Sequence, residues 1–472
     1  MSSAPQAPHH PGATGGRAGP DARALAVRIL REWTESRERA AALPDGPPSE
    51  DAAAPPDPGR AASGTRGSVS GPDRAVASDP ARGSDPAADS DSDIADAGVP
   101  ALAALLTSGD HADEETVTVA GRAVVSWART AGRGSGHRGL FSGGLAGTLA
   151  GLRFGARLHP ALDGVADRLH HHLATPPAAP PWRRSQVAIT DYDLIVGPAG
   201  TLHALLLGPS HAALPTAHAE HLAFLCDDAD LWRLRTGGYE DHPQLGWLQG
   251  RVNTGMGHGV AGLLTALTAT VRRTGPTPAL TGAMRHATQW LVRQSFDDAR
   301  GIRSWDGAGL DVSPTPGARP RQAWCYGAAG VAWALWDAAD ALGDTTTAAW
   351  ATAAFTTLCE RYDETFHLYG DDPADRLGCC HGAAGVLAVA DAFHRHAGLP
   401  QATALRARLT SHLTERLDEV ATLAPRRTGL LGGATGMLCA LLTATVTADH
   451  ADGDPAPAPG AWRGWLRCLG LR

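Results

Sequence analysis

Trp324-Cys325-Tyr326-Gly327-Ala328-Ala329-Gly330 reads as a short loop entering a helix through a Gly-x-x-Gly step, and Cys379-Cys380-His381-Gly382-Ala383-Ala384-Gly385 repeats the pattern. Each is followed by an apolar run, Val331-Ala332-Trp333-Ala334-Leu335 in one case and Val386-Leu387-Ala388-Val389-Ala390 in the other. The step also occurs at Gly144–Gly147, Gly197–Gly200, Gly259–Gly262 and Gly433–Gly436, so that successive spacings are 53, 62, 68, 55 and 51 residues. A unit of that length holds two helices and two loops. Amphipathic stretches lie between the steps, for example 279–294 and 401–419. One apolar, glycine-opened helix and one amphipathic helix per unit suggest an inner and an outer layer. The expected fold is therefore all-α, an α/α toroid: a double-layered α/α barrel of six to seven helix pairs. An open solenoid is the alternative. Closure is favoured because the inner helices carry so little charge.

The rest of the chain frames this repeat. Residues 1–20 are rich in Pro, Gly, Ala and Ser and are expected to be disordered. Asp21 opens an amphipathic helix over 21–43, with Leu25, Ile29, Leu30 and Trp33 on one face, either part of the core or an isolated segment. Residues 44–98 are Pro/Ala/Asp-rich, with five aspartates between Asp85 and Asp96, and read as a disordered linker. The toroid is expected over 99–472.

Net charge is −8, which argues against a nucleic-acid partner. Seven cysteines at irregular spacing and no secretory pattern at the N-terminus point to a reducing cytoplasm rather than a disulfide framework. Residues 428–448 carry no charge and are long enough to cross a bilayer, but their many glycines and threonines fit a helix buried within the protein, so no transmembrane span is expected.

Numbered from the first glycine of each step, position −1 is His258, Tyr326 and His381 in three consecutive repeats, and position −2 is Gly257, Cys325 and Cys380. If the repeats are equivalent, these side chains converge at one mouth of the toroid. The register also selects Cys380 over Cys379. Helix N-termini favour the thiolate that binds metal. Cys325, Cys380 and His381 thus read as three ligands of one zinc ion with an open fourth position, the count of a catalytic rather than a structural site. His258 is a candidate acid/base beside the metal, against the plain reading of a hydrogen-bonded structural histidine. Cys226, Cys359, Cys439 and Cys468 read as small buried hydrophobes, and Arg321 can equally be a local capping or pairing residue.

At these residues the chain resembles the LanC family of lanthipeptide cyclases. The matching motifs are Asp191-Tyr192-Asp193-Leu194-Ile195-Val196-Gly197, Asn253-Thr254-Gly255-Met256-Gly257-His258-Gly259, Arg321-Gln322-Ala323-Trp324-Cys325-Tyr326-Gly327 and Cys380-His381-Gly382, within about 100–445. The resemblance implies seven helix pairs. A seventh pair lacking the motif is then expected from the N-terminal helix plus the segment near 100–130. It implies zinc on Cys325, Cys380 and His381, with Asp193, His258, Arg321 and Tyr326 around it. It also implies intramolecular addition of a precursor-peptide thiol to dehydroalanine or dehydrobutyrine, giving a (methyl)lanthionine ring. His258 would donate the proton with Asp193 orienting it, Arg321 would stabilise the enolate, and Tyr326 would line the pocket or position His258. The implied partners are a dehydrated precursor peptide with its leader and a separate dehydratase, since no phosphate-loop motif is present. Such a complex would also be the route to any membrane association. Two alternatives share the site residues: a zinc protein that binds another thiol such as glutathione, and a non-catalytic zinc scaffold of a biosynthetic complex.

Overall fold

A computed structural model describes residues 15–42, 96–108, 112–131, 137–175, 182–209, 216–243, 245–311, 321–446 and 462–472. Each glycine step opens a helix, and in five of the six the N-cap is a glycine with no side-chain cap. The first-turn N–H groups are instead satisfied by carbonyls of the preceding turn, as in Val260 N–H to Asn253 O at 2.8 Å and Ala146 N–H to Gly139 O at 3.0 Å. That fold-back explains the second glycine. A Cβ on Gly385 would stand 1.9 Å from the Cys379 carbonyl, and one on Gly330 would stand 2.1 Å from that of Trp324. Three of the outer helices use ordinary side-chain caps, Asp113, Thr277 and Asp344.

The inner helices are α2 (Gly98–Leu106), α4 (Leu145–Gly155), α6 (Pro198–Leu205), α8 (Val260–Thr274), α10 (Ala328–Leu342), α14 (Ala383–Ala397) and α17 (Ala434–Val446). Each packs against the next, and α17 packs against α2, so the ring is closed. Outside them lie α3 (Glu114–Thr130), α5 (Asp163–Ala174), α7 (Thr216–Leu225), α9 (Pro278–Arg293), α11 (Thr345–Arg361) and α15 (Pro400–Thr414), each packed on the inner helix that precedes it. Short helices α12 (Glu364–His367), α13 (Pro373–Leu377) and α16 (Leu417–Leu423) and a two-residue hairpin, Phe296–Asp297 with Arg303–Ser304, fill the connections.

The outer partner of α17 is α1 (Gly15–Ala42), which comes from the other end of the chain and packs against α17, α3 and α15. Ala22, Leu25, Ala26, Ile29 and Leu30 are buried in the common core. The described residues therefore form an α/α toroid of seven pairs, the one without a glycine step being α2–α3. Two boundaries differ from those expected. The first helix begins at Gly15 rather than Asp21 and is a stave of the toroid, because its apolar face completes the pair that α17 would otherwise lack. After α1 the described residues begin again at Asp96 rather than Val99, and Asp96 is held by Leu430 and Trp127. Residues 1–14 and 43–95, most of the expected tail and linker, lie outside the described residues.

The uncharged stretch at 428–448 supplies the inner helix α17, and no described helix is long and apolar enough to cross a membrane. Residues 462–472 occupy the centre of the ring, with Trp465, Leu466, Cys468 and Leu469 buried. Trp324 Nε1 donates to Leu469 O at 2.9 Å, Trp333 Nε1 to Gly470 O at 3.1 Å, and Trp465 Nε1 to Thr443 Oγ1 at 3.0 Å. Arg472 pairs with Asp337 at 2.8 Å and with Asp340 at 2.8 Å near the C-terminal end of α10. This segment therefore fills the ring from the end opposite the glycine turns, and the turn end is left as the functional face.

Candidate metal centre

The turns of neighbouring repeats are tied to each other by backbone hydrogen bonds. Leu140 N–H donates to Ile195 O at 2.9 Å, Leu194 N–H to Gly257 O at 3.1 Å, and Met256 N–H to Cys325 O at 2.8 Å. Cys325 N–H continues to Cys380 O at 3.3 Å, and Cys380 N–H to Leu431 O at 2.9 Å. Leu430 N–H then donates to Asp96 Oδ1 at 3.0 Å, so a carboxylate stands in for the turn that the motif-free pair lacks. This belt places residues of equal register at equal depth.

Its consequence is a cluster. The donor atoms of Cys325, Cys380 and His381 lie within 4.8 Å of one another, a group that can hold a metal ion. Gly327, at φ +88°, takes the backbone through the left-handed region directly after Tyr326. Cys379 is buried and outside the cluster, and burial pushes its thiol well up. Two thiols and one imidazole within this reach are a donor set that suits zinc.

A cavity of about 30 Å³ adjoins the cluster, lined by all three of these residues together with His258, Tyr326, Asn253, Gly257 and Ile195, and roofed by Ile189, Leu245 and Leu248. That volume admits about one water-sized group. Asp193 is fully buried at its edge. One carboxylate oxygen accepts from Val196 N–H at 2.9 Å and Gly197 N–H at 2.6 Å, and the other lies 2.6 Å from His258 Nδ1. Burial disfavours a charged His258 ring, but the Asp193 hydrogen bond and charge, with Cys380 nearby, outweigh it and hold the imidazole above the ordinary histidine range. Tyr192 Oη donates to His258 O at 2.8 Å and fixes the backbone behind the ring.

The sequence-derived residues do not all meet. Cys325, Cys380, His381, His258 and Tyr326 line one cavity, and Asp193 reaches it through His258. Arg321 does not line it: its guanidinium stacks 4.3 Å over the Tyr369 ring. Asn253 heads the stretch that carries His258. It lines the cavity and donates through Nδ2 to Tyr326 Oη at 2.9 Å. The amide is oriented, because its oxygen accepts from the Gly255 backbone N–H at 2.8 Å. The apolar roof carried no sequence signal, since Leu245 and Leu248 belong to no motif and meet the site only through the fold.

The fold and the site together define an α/α toroid that carries, at its turn end, a thiol–imidazole cluster able to hold a metal ion. A family model described as lanthionine synthetase C-like protein matches residues 95–450, and the chain belongs to that family. Among solved structures, nisin cyclase shares the fold with a TM-score of 0.61 at 18% identity, over 81% of this chain and 93% of its own. No curated protein matches by sequence.

Proposed function

We propose that the protein is a lanthionine synthetase acting on a dehydrated precursor peptide, closing (methyl)lanthionine rings by adding cysteine thiols to dehydroalanine or dehydrobutyrine. The observation that carries this reading is the meeting of a three-donor thiol–imidazole cluster and the His258–Asp193 pair in one cavity. Cys325, Cys380 and His381 would hold one zinc ion. Bound there, zinc would supply a Lewis-acidic position that keeps an incoming thiol deprotonated near neutral pH.

The chain's own residues do the rest. Asp193 accepts from His258 Nδ1–H, which leaves Nε2 as the proton-transfer atom and favours the imidazolium. Attack of the sulfur on the β-carbon moves the alkene electron pair to the α-carbon and its carbonyl, and His258 returns one proton to the α-carbon. Such a positioned acid contributes about 10²–10⁴-fold. Tyr326, held by Asn253, faces the same space and can donate to the developing enolate oxygen. Leu245 and Leu248 give it an apolar lining. Arg321, stacked on Tyr369, would act on the peptide outside the cavity or by holding the turn. A separate dehydratase is the expected source of the substrate.

The test is incubation of zinc-loaded protein with the dehydrated precursor, followed by thiol alkylation and mass spectrometry. Ring closure leaves the peptide mass unchanged and removes its alkylatable thiols. Full retention of thiols with protein shown to carry zinc would overturn the reading, and consumption of glutathione instead would redirect it to another thiol.

A further inference from the structure

Backbone packs closely against the Tyr326 ring. A Cβ on Gly255 would stand 2.7 Å from Tyr326 Cε1 and 2.7 Å from the Cys325 carbonyl oxygen, and one on Gly307 would stand 3.4 Å from Cε1. Thr254 N–H donates to Gly307 O at 3.1 Å and Met256 N–H to Cys325 O at 2.8 Å, so these walls are themselves held. With the ring fixed, the direction of the hydroxyl hydrogen is the freedom that remains, and Asn253 controls it. Asn253 is only 1% exposed. Its amide can face one way only, because the Gly255 N–H, 2.8 Å from Oδ1, requires an oxygen there. Nδ2 therefore faces Tyr326 Oη, at 2.9 Å. An amide NH2 group donates and does not accept, whereas a hydroxyl has one hydrogen and two lone pairs. Tyr326 Oη must accept from Asn253, and its own hydrogen must point elsewhere.

We infer that Asn253 is a positioning residue for ring closure: by filling one lone pair of Tyr326 Oη, it keeps the phenol a hydrogen-bond donor toward the reacting carbonyl. A donor aligned in advance needs no reorientation when charge develops on the enolate oxygen. Asn253 and His258 belong to the same turn ahead of α8. One turn thus sets both donors of the cavity, His258 directly and Tyr326 through the amide. An acceptor at position 253 would reverse the arrangement by drawing the Tyr326 hydrogen to itself. The inference rests on the proposed cyclisation and deepens it.

Asn253→Asp is the discriminating change, because it keeps an oxygen for the Gly255 N–H and exchanges the donor for an acceptor. The cyclisation rate of zinc-loaded full-length protein on the dehydrated precursor is measured for wild type, Asn253→Asp, Tyr326→Phe and the double variant, with the zinc content of each. Each single change is expected to lower the rate by about 10²–10³-fold with zinc content unchanged. The double variant is expected to be no slower than Tyr326→Phe, whereas a role in the turn alone would add the same loss in both backgrounds. Asn253→Ala, compared in the same two backgrounds, serves if the carboxylate unfolds the turn. Urea unfolding gives a readout apart from activity: the stability losses of Asn253→Ala and Tyr326→Phe should be non-additive, as for bonded partners. A wild-type rate in Asn253→Asp or in Tyr326→Phe, rate losses that multiply in the double variant, or additive stability losses overturn this inference and leave the proposed function standing. A zinc-loaded wild type that closes no ring overturns both.

Discussion

The backbone N–H of Cys325 donates to the carbonyl of Cys380 across 3.3 Å, so the two metal-capable cysteines are joined through the main chain before any metal joins their sulfurs. The bond is one link in the belt that runs from Leu140 to Asp96. It makes the spacing of the cluster a property of the toroid rather than of the side chains. Binding a metal then needs little reorganisation of the backbone, which suits a site that must present three donors and keep a fourth position open.

The fold-back of each turn onto its own helix makes the second glycine of the step intolerant of substitution. In Gly385→Ala the new methyl meets the Cys379 carbonyl at 1.9 Å and the Trp324 Cβ at 2.8 Å. Backbone cannot yield as a flexible side chain does. The substitution is expected to cost about 1–3 kcal/mol or more, as overpacking does, and to weaken metal binding along with stability. Gly282→Ala, on the outer helix α9 with open space around it, should be neutral or slightly stabilising. Urea unfolding of the two variants checks the contrast.

The His258–Asp193 pair should separate chemistry from metal binding. His258→Ala and Asp193→Asn are expected to lower the cyclisation rate by about 10²–10⁴-fold while zinc content stays at the wild-type level, because neither residue belongs to the donor cluster. Rates on a dehydrated peptide and metal analysis of the same preparations give the answer. Loss of zinc in either variant would place the pair in the metal shell instead.

The segment that fills the ring should matter to stability rather than to chemistry. Trp465 is fully buried, and its indole N–H is satisfied by Thr443. Trp465→Ala removes a large side chain from a closed interior and is expected to cost about 3–5 kcal/mol. Thermal or urea unfolding reads the effect. Zinc content per folded chain should not change.

Acid should unfold the protein through its buried histidines. Burial lowers His203 and His218 to about 3, and burial together with Arg395 lowers His396 to about 4. Each is neutral in the folded protein and takes up a proton in the unfolded chain as pH falls below about 6.5. Their stabilisation is therefore complete above that pH and is lost progressively down to about 3–4. Each contributes a slope of about 1.4 kcal/mol per pH unit within the window. His203→Gln should flatten the stability–pH curve between about pH 6 and 4, measured by urea unfolding across that range.

The repeat was legible because it is a backbone requirement: every Gly-x-x-Gly marks a turn folded back onto its own helix. The register of Cys325, Cys380, His381 and His258 was legible for the same reason, since the belt makes sequence register equal to depth. What escaped is what the ring makes by closure. The pairing of α1 with α17 joins the two ends of the chain. Asp96 replaces a turn with a side chain, so no motif marks it. Leu245 and Leu248 roof the cavity from a connection without periodicity. Arg321 sits in a matching motif, and what the fold adds is the Tyr369 ring under its guanidinium.

The central claim is that Cys325 and Cys380, and not Cys379, belong to an open metal centre. Zinc content and free-thiol titration of wild type, Cys325→Ala, Cys380→Ala and Cys379→Ala test it most directly. The expected result is about one zinc per chain, lost in the first two variants and kept in the third. Well-folded wild type without zinc, or zinc that persists in Cys380→Ala, would contradict the account.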